Sequence, residues 1–361
     1  MVAKRAWIPA RGTYSIGTTN EPFNPTSGAI KFTPQQPKDI DYVKERAERE
    51  DDEKGEDYDQ LLENNKHLVE YLKVAALANL AHVHETQNGS WSARGDPTEI
   101  ALQVFSSRFK WNRLQLATGD NAPWRQIAEF PFDSDVKKMS VIFEEVESKQ
   151  KHVFTKGAVE RIIDSCSALY QGESEEPIEM TDQIRDDILA NMESLARLGL
   201  RVLALASRTF EGEYTKGQEI ERKEIEANIT FRGLVGLYDP PRPESQGAVR
   251  QCQKAGISVH MLTGDHPGTA RAIAREVGIV PSNMQTLSKE VHDAMVMTAS
   301  QFDKLSEEEI DALPLLPLVI ARCAPNTKVR MIEALHRRKC FAAMVSLNSL
   351  SNRVSTNTDP P

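Results

Sequence analysis

The sequence lacks a membrane-length apolar run, paired cysteines and the two commonest nucleotide-loop signatures. A membrane helix needs roughly 18 consecutive apolar residues. The nearest run, Leu313 to Ala321, is short and broken by Pro314 and Pro317. The N-terminal MVAKRAWIPARG has positive charge but no apolar core behind it, unlike a secretory signal. Cys166, Cys252, Cys323 and Cys340 are scattered with no Cys-x-x-Cys pair. That argues against a disulfide framework or structural zinc and fits a reducing, cytoplasmic setting for a soluble chain. Lys and Arg number 44 against 53 Asp and Glu, a net charge of −9. Such a balance disfavours nucleic acid or an anionic membrane surface as the main partner. No G-x-x-x-x-G-K-[ST] string occurs, and no G-x-G-x-x-G follows a strand, so a Walker-type NTPase and a dinucleotide enzyme are both disfavoured.

What is present is an ordinary globular mixture, 361 residues at 40% hydrophobic and 27% charged. At roughly 100–200 residues per domain, two or three domains are expected. Residues 1–38 read as a short strand followed by an irregular lead-in rich in Gly, Pro, Ser and Thr. Asp39 to Glu63 is strongly charged. The acidic loop 45–63 reads as a solvated insertion, since its signs are mixed and no ligand spacing is fixed. Helical spacing begins near His67, with Leu68, Tyr71, Leu72, Ala75, Ala76 and Leu80 on one face and His82 and His84 on different faces. Asp96-Pro97-Thr98-Glu99 has the form of a capping box opening a second helix. The runs RQIAEFPF, KMSVIFEEV and KHVFTKG predict strands. AVERIIDSCSALY predicts a helix, DQIRDDILANMESLARLG an amphipathic one, and RVLALASRTF a strand. This half is therefore expected to be α+β.

The pattern changes at the Pro-rich Asp239–Pro243. Beyond it, PESQGAVRQCQKAG, HPGTARAIAREVG and Thr327 to His336 predict helices, while GISVHMLTGD and PLVIARC predict buried strands. That alternation predicts parallel α/β units.

Ligands of open parallel sheets sit at strand carboxyl ends near helix N-termini. Thr263-Gly264-Asp265 is placed for this: Gly264 would permit a close turn, and the Thr263 hydroxyl could hold a phosphoryl oxygen. Taken alone, the same three residues also suit a plain strand-to-helix turn. Lys328 at a helix start and Arg242 in DPPRP could each neutralise phosphate or simply be solvated. Asp239 could meet a ribose or close a turn. Phe132, with Lys137 five residues on, suits an adenine ring with phosphates beyond it, or else a core strand. Lys156-Gly157-Ala158 joins a strand to a helix, and Arg201 opens a strand.

Individually weak, these signals form a collinear series: GDPTE (95–99), EFPFDSDVKKMS (129–140), KGA (156–158), GLRVLALA (199–206), DPPRPE (239–244), MLTGDHPGTARAIAREVGI (261–279) and ARCAPNTK (321–328). In this order the chain resembles the cytoplasmic region of P-type cation ATPases, with closest likeness to the fungal sodium/potassium-exporting subgroup, from near residue 1 to about Met344. The resemblance implies a nucleotide-binding domain over 10–232, an antiparallel sheet with helices. It also implies a haloacid-dehalogenase-like, Rossmannoid phosphorylation domain, seen in part as lead-in strand 1–9 and as residues 233–345, before a divergent polar tail, 346–361. It implies ATP, with Mg²⁺, as cofactor. Glu99 would lie near the adenine amino group and Phe132 would stack on the ring. Lys137, Lys156 and Gly157 would line the pocket, and Arg201 would reach the phosphates. Asp239 and Arg242 would form the hinge meeting ribose and phosphates. Thr263, Gly264 and Asp265 would hold phosphate, and Lys328 would face the acyl phosphate.

The family's Asp-Lys-Thr-Gly-Thr string occurs nowhere here, and VSLNSLSNRVSTNTDPP stands where its Gly-Val-Asn-Asp motif is expected. Covalent phosphoryl transfer needs an attacking carboxylate and charge neutralisation in line with it. The expectation is a truncated pump piece that binds ATP but does not complete the cycle, whose membrane attachment and transport would need the remainder of the pump. A regulatory protein binding partners through the acidic loop is the alternative. A free-standing phosphatase fits poorly, because the first 38 residues contain no Asp. The second half is expected to be the less stable, with apolar edges exposed.

Overall fold

A computed structural model describes all residues except 10, 18, 43–54, 64, 172–175, 213–220, 282–293 and 345–361. Most of the acidic loop 45–63 and the whole polar tail 346–361 therefore lie outside the described residues. Strands in chain order are β1 (Val2–Ile8), β2 (Gly12–Ile16), β3 (Ile30–Thr33), β4 (His82–Glu85), β5 (Trp91–Arg94), β6 (Trp124–Asp133), β7 (Lys138–Glu145) and β8 (Lys151–Ala158). They continue as β9 (Cys166–Leu169), β10 (Ile178–Glu179), β11 (Arg201–Phe210), β12 (Ile229–Tyr238), β13 (Met261–Leu262), β14 (Val296–Thr298) and β15 (Val319–Ala321).

The large sheet runs β3-β2-β1-β12-β11-β8-β7-β6, with antiparallel neighbours along this path. Beside it, β9 joins β12 in parallel and pairs with β10. The runs expected as strands at 125–132, 138–146, 151–157 and 201–210 are β6, β7, β8 and β11. Apolar residues cover both faces. Tyr71, Leu72 and Ala75 of helix Lys66–Leu77 pack on one, with Phe105 of helix Pro97–Arg108. Ile188, Met192 and Leu195 of helix Asp182–Arg197 pack on the other, with Phe231 and Leu234. A parallel sheet, β13-β15-β14, follows in the later region, as the strand–helix alternation predicted.

Several elements differ from the sequence reading. Residues 1–9, read as a lead-in to the later region, form β1, hydrogen-bonded between β2 and β12. The boundary at 232/233 falls inside β12. Both follow from the burial of β12, whose backbone amides and carbonyls need a pairing strand on each side. The first helix stops at Leu77, and Leu80 is 40% exposed. Here the Asn79 amide donates to the carbonyls of Ala75 and Glu99 and its oxygen accepts from the Ala81 amide, ending the helix. His82 and His84 consequently lie on one face of β4, both exposed, rather than on different helix faces. The predicted helix 158–170 is a helix only over Val159–Ile163, then turns into β9, which the edge of β12 recruits as a strand. The long strand expected at 256–265 narrows to the two residues of β13.

The capping box is half made. Asp96 accepts from the Thr98 amide at 2.8 Å, as an N-cap should. Glu99, however, does not return to the cap: one oxygen accepts from the Leu80 amide at 3.2 Å and the other from Lys156 at 2.7 Å. A charge partner outcompetes a single amide for the same carboxylate.

Candidate functional site

A cleft of about 390 Å³ opens between the large sheet and the parallel unit. One wall is built from β6 and the start of β11, the other from the turn after β13 and the end of β15. Phe132 stands at its rim, 64% exposed. An aromatic ring presented to water at the mouth of a cleft is free to stack on a flat ligand ring. The ordinary core-strand reading of Phe132 is thereby corrected. It falls where the β6–β7 register slips, between Phe130 and Asp133, before pairing resumes at Asp133 and Lys138.

Lys137 follows in the tight turn to β7, with φ 58, its amide donating to the Asp133 carbonyl at 2.7 Å. Asp133 is held below the usual carboxylate range by the amides of Val136 and Asp135 it accepts from, so it stays ionised in that turn. Gly157 passes directly under this turn. A Cβ there would collide with the Lys137 carbonyl oxygen, so glycine is demanded by close approach.

Lys156 lies deeper, outside the cleft lining, paired with Glu99. Burial pulls the Lys156 ammonium below its ordinary value, while the Glu99 carboxylate opposes that shift. Two opposite charges buried together need each other: removing either leaves an uncompensated charge.

Arg201 bridges the two walls. Its Nη2 and Nε donate to the same Asp265 oxygen at 2.9 and 3.2 Å, across 64 residues of sequence. Thr263 donates its hydroxyl to the other Asp265 oxygen at 2.9 Å and accepts from the Asp265 amide, closing the turn on itself. Gly264 borders the cleft with nothing near a would-be Cβ and no positive φ. The close turn expected of it is thus not what glycine supplies; it leaves the cleft floor open. The structure brings Phe132, Lys137, Arg201 and Gly264 to one cleft, with Asp265 and Thr263 behind Arg201. It does not bring Lys328, Asp239 or Arg242 to the lining. Lys328 sits in the first turn of helix Pro325–Arg337, near Cys323. Asp239 lies 3.9 Å from the Met1 amino group. Arg242 precedes helix Glu244–Lys254 and accepts from the Ser245 amide through its carbonyl.

Sequence reasoning missed Glu160, His266, Arg322 and Cys323. Arg322 donates to Glu160 at 2.6 Å, a second bridge between the walls, spanning 162 residues. Arg322 has φ 57, so a strained backbone presents it. His266 caps helix Pro267–Glu276 by accepting from the Gly268 amide. Burial first, and then Arg322, keep its imidazole below the ordinary value, while Glu160 and Glu193 oppose this. A signal was available: His266 and Arg322 both lie inside motifs that mark the cleft, one directly after Thr-Gly-Asp.

The residues present suit a nucleotide: an open aromatic face and the cations of Lys137, Arg201 and Arg322 line one cleft. They do not suit a protein-held magnesium ion. Among the described residues no group of three or more His, Cys, Asp or Glu side chains is arranged to hold a metal. The Asp265 carboxylate is already taken by Arg201 and Thr263.

Among the described residues no helix is long and apolar enough to cross a membrane. A family model described as P-type ATPase, cytoplasmic domain N, matches residues 67–244. A sodium/potassium-exporting P-type ATPase of Schizosaccharomyces pombe is 46% identical over 95% of this chain and 31% of its own length. Another sodium/potassium-exporting P-type ATPase, from Saccharomyces cerevisiae, is 42% identical over 95% of the chain and 34% of its own length. A calcium-transporting ATPase of Bacillus cereus is 31% identical over 80% of the chain. The chain thus spans about a third of the length of the curated relatives it matches. Motif order, sheet architecture and these identities agree, and the chain belongs to the P-type ATPase family, whose cytoplasmic N domain it carries.

Proposed function

We propose that this chain is the ATP-holding cytoplasmic part of a sodium/potassium-exporting P-type ATPase, with the inter-wall cleft as its nucleotide site. The observation that carries this reading is Phe132, a ring left exposed at the mouth of a cleft lined by Lys137, Arg201 and Arg322. Bound ATP would supply a transferable γ-phosphoryl group. Phe132 would stack on the adenine, and Lys137 would sit over the phosphate path. Arg201 and Arg322 are engaged by Asp265 and Glu160. Phosphate oxygens would compete for those two guanidinium groups, and so the ion pairs must open or share as the nucleotide enters. The buried Lys156–Glu99 pair, behind the cleft lining, would support the strand that carries Gly157 beneath the Lys137 turn.

We further propose that the chain by itself forms no phosphoenzyme, since its sequence contains no Asp-Lys-Thr-Gly-Thr string, and that export requires the rest of the pump. The relatives' names motivate sodium or potassium as cargo.

Titration with a fluorescent ATP analogue tests the reading. Saturable binding is expected, weakened about tenfold by Phe132→Ala, in keeping with ~1–1.5 kcal/mol for a lost aromatic stack. Absence of saturable binding, or an unchanged affinity in a folded Phe132→Ala protein, overturns it. Radiolabelled γ-phosphate should leave no acid-stable mark on the chain.

A further inference from the structure

A second and larger cavity, about 870 Å³, lies at the opposite end of β11. The nucleotide cleft meets β11 at Arg201 to Leu203, whereas this cavity meets it at Ser207 to Thr209. Its lining is basic in a chain whose net charge is −9. Arg11, Lys66, Lys73 and Arg232 face it, against the carboxylates of Glu70 and Glu145.

The cations are held in place by the fold. The Arg232 side chain is only 13% exposed, with Nε donating to the Ser207 hydroxyl at 2.8 Å and the guanidinium 5.1 Å from the Tyr170 ring centre. Lys73 lies 5.6 Å over the Trp124 ring and pairs with Glu70 at 2.5 Å. Glu70 is shared, since Arg232 also approaches it at 3.8 Å. One carboxylate thus serves two fixed cations, which leaves the cluster with positive potential. Arg208, by contrast, turns its guanidinium away to the carbonyls of Glu224 and Ile225.

His152 supplies a separate observation. It lines the same cavity, packed edge-on to Trp124, and its Nε2 is buried with no hydrogen-bond partner among the described residues. An orphaned buried ring nitrogen beside convergent cations is the arrangement a bound anion's oxygens or hydroxyls would satisfy.

We propose that this cavity is a second ligand site, independent of the nucleotide cleft, for a small molecule carrying two or more phosphate groups. The volume exceeds the need of one phosphate, and the cations approach from several elements: the helix Lys66–Leu77, β12 and the turn between β1 and β2. Arg232 and Ser207 hold one phosphate group, Lys73 with its neighbours holds a second, and His152 bonds the ligand body.

Isothermal titration of the full chain with inositol 1,4,5-trisphosphate, after saturation with a non-hydrolysable ATP analogue, reads this site. Saturable binding is expected, weakened at least tenfold in both Arg232→Gln and Lys73→Gln, with a shift of the His152 ring resonances on ligand addition. Lys73→Gln, on a helix rather than inside the sheet, keeps the test decisive if Arg232→Gln fails to fold. Vesicles of phosphatidylcholine with and without phosphatidylinositol 4,5-bisphosphate separate the sources. Capture by the second alone, together with weaker binding of the soluble trisphosphate, assigns a lipid headgroup; tighter soluble binding assigns a free phosphate compound. No saturable binding, equal affinity in folded variants, or displacement by the ATP analogue overturns the proposal, as does tighter binding of a polyglutamate peptide. If the analogue itself does not bind, the trisphosphate isotherm still stands, so the two readings fail separately.

Discussion

The large sheet and the parallel unit after it both pack helices against strands, yet they bury their apolar faces to different depths. In the large sheet, β11 and β12 run ten residues each, flanked by strands on both sides and by helices on both faces. Its aromatic core includes Tyr71, Phe105, Phe154 and Phe231, each essentially without solvent contact. In the parallel unit the strands run two or three residues, and the apolar clusters are small. Helix Glu244–Lys254 buries none of its residues, and Ile257 beyond it is 57% exposed. An amphipathic stripe stabilises only when an opposite surface covers it. The contrast teaches that burial, not propensity, separates the two regions, and that the parallel unit should open first.

The strongest way to break this comparison is to hollow each core in turn. Phe231→Ala should cost about 3–5 kcal/mol and lower the cooperative melt of the large sheet. Phe302→Ala should remove an early transition and leave that main melt in place. Calorimetry with hydrogen exchange separates the two, and a single shared transition shifted alike by both would refute the contrast. Next in size is Gly233→Ala within β12. Its φ is +152, and a Cβ would strike the Trp7 carbonyl oxygen and the Tyr71 ring. A loss of about 2–3 kcal/mol is expected in denaturant titration. Gly256→Ala, at φ +75 but with open space around it, should cost less and touch only the parallel unit.

A smaller effect should appear with pH. Burial lowers the imidazole of His152, aided by Lys73, and that of His266, aided by Arg322. A folded value below the ordinary 6.5 means that the unfolded chain binds more protons between the two values. Stability is therefore full above about 6.5 and falls as pH drops toward the folded values. Melting temperatures across this range should lose part of that slope in His152→Gln for the large sheet and in His266→Gln for the parallel unit. Smallest of all is the Glu160–Arg322 bridge. Its partners are partly exposed, so Glu160→Gln should change stability by less than about 1 kcal/mol. The sharper readout is amide exchange along β15, which should rise if the pair holds the walls together.

Much of the secondary structure was legible because period-2 and period-3.6 patterns survive in β6, β7, β8, β11 and the helices Asp182–Arg197 and Pro325–Arg337. The helix that became β9 was not legible. CSAL alone suits either state, and only the free edge of β12 chose strand. At the cleft, Phe132, Lys137 and Arg201 were readable from motif order. The Glu160–Arg322 pair was not, because residues 162 apart carry no local sign of meeting.

By itself the sequence determined the order of the motifs, the apolar face of each element and the chemical types available near the cleft. These are local properties, written in spacing and side-chain chemistry. Only the tertiary structure decided that Phe132 is exposed rather than core, that β1 joins the large sheet, and that Asp265 belongs to Arg201. It also placed Arg232, Lys73 and His152 around one basic cavity. The physical reason is common to all four: periodicity records which face of an element avoids water, while the surface that covers that face comes from distant parts of the chain.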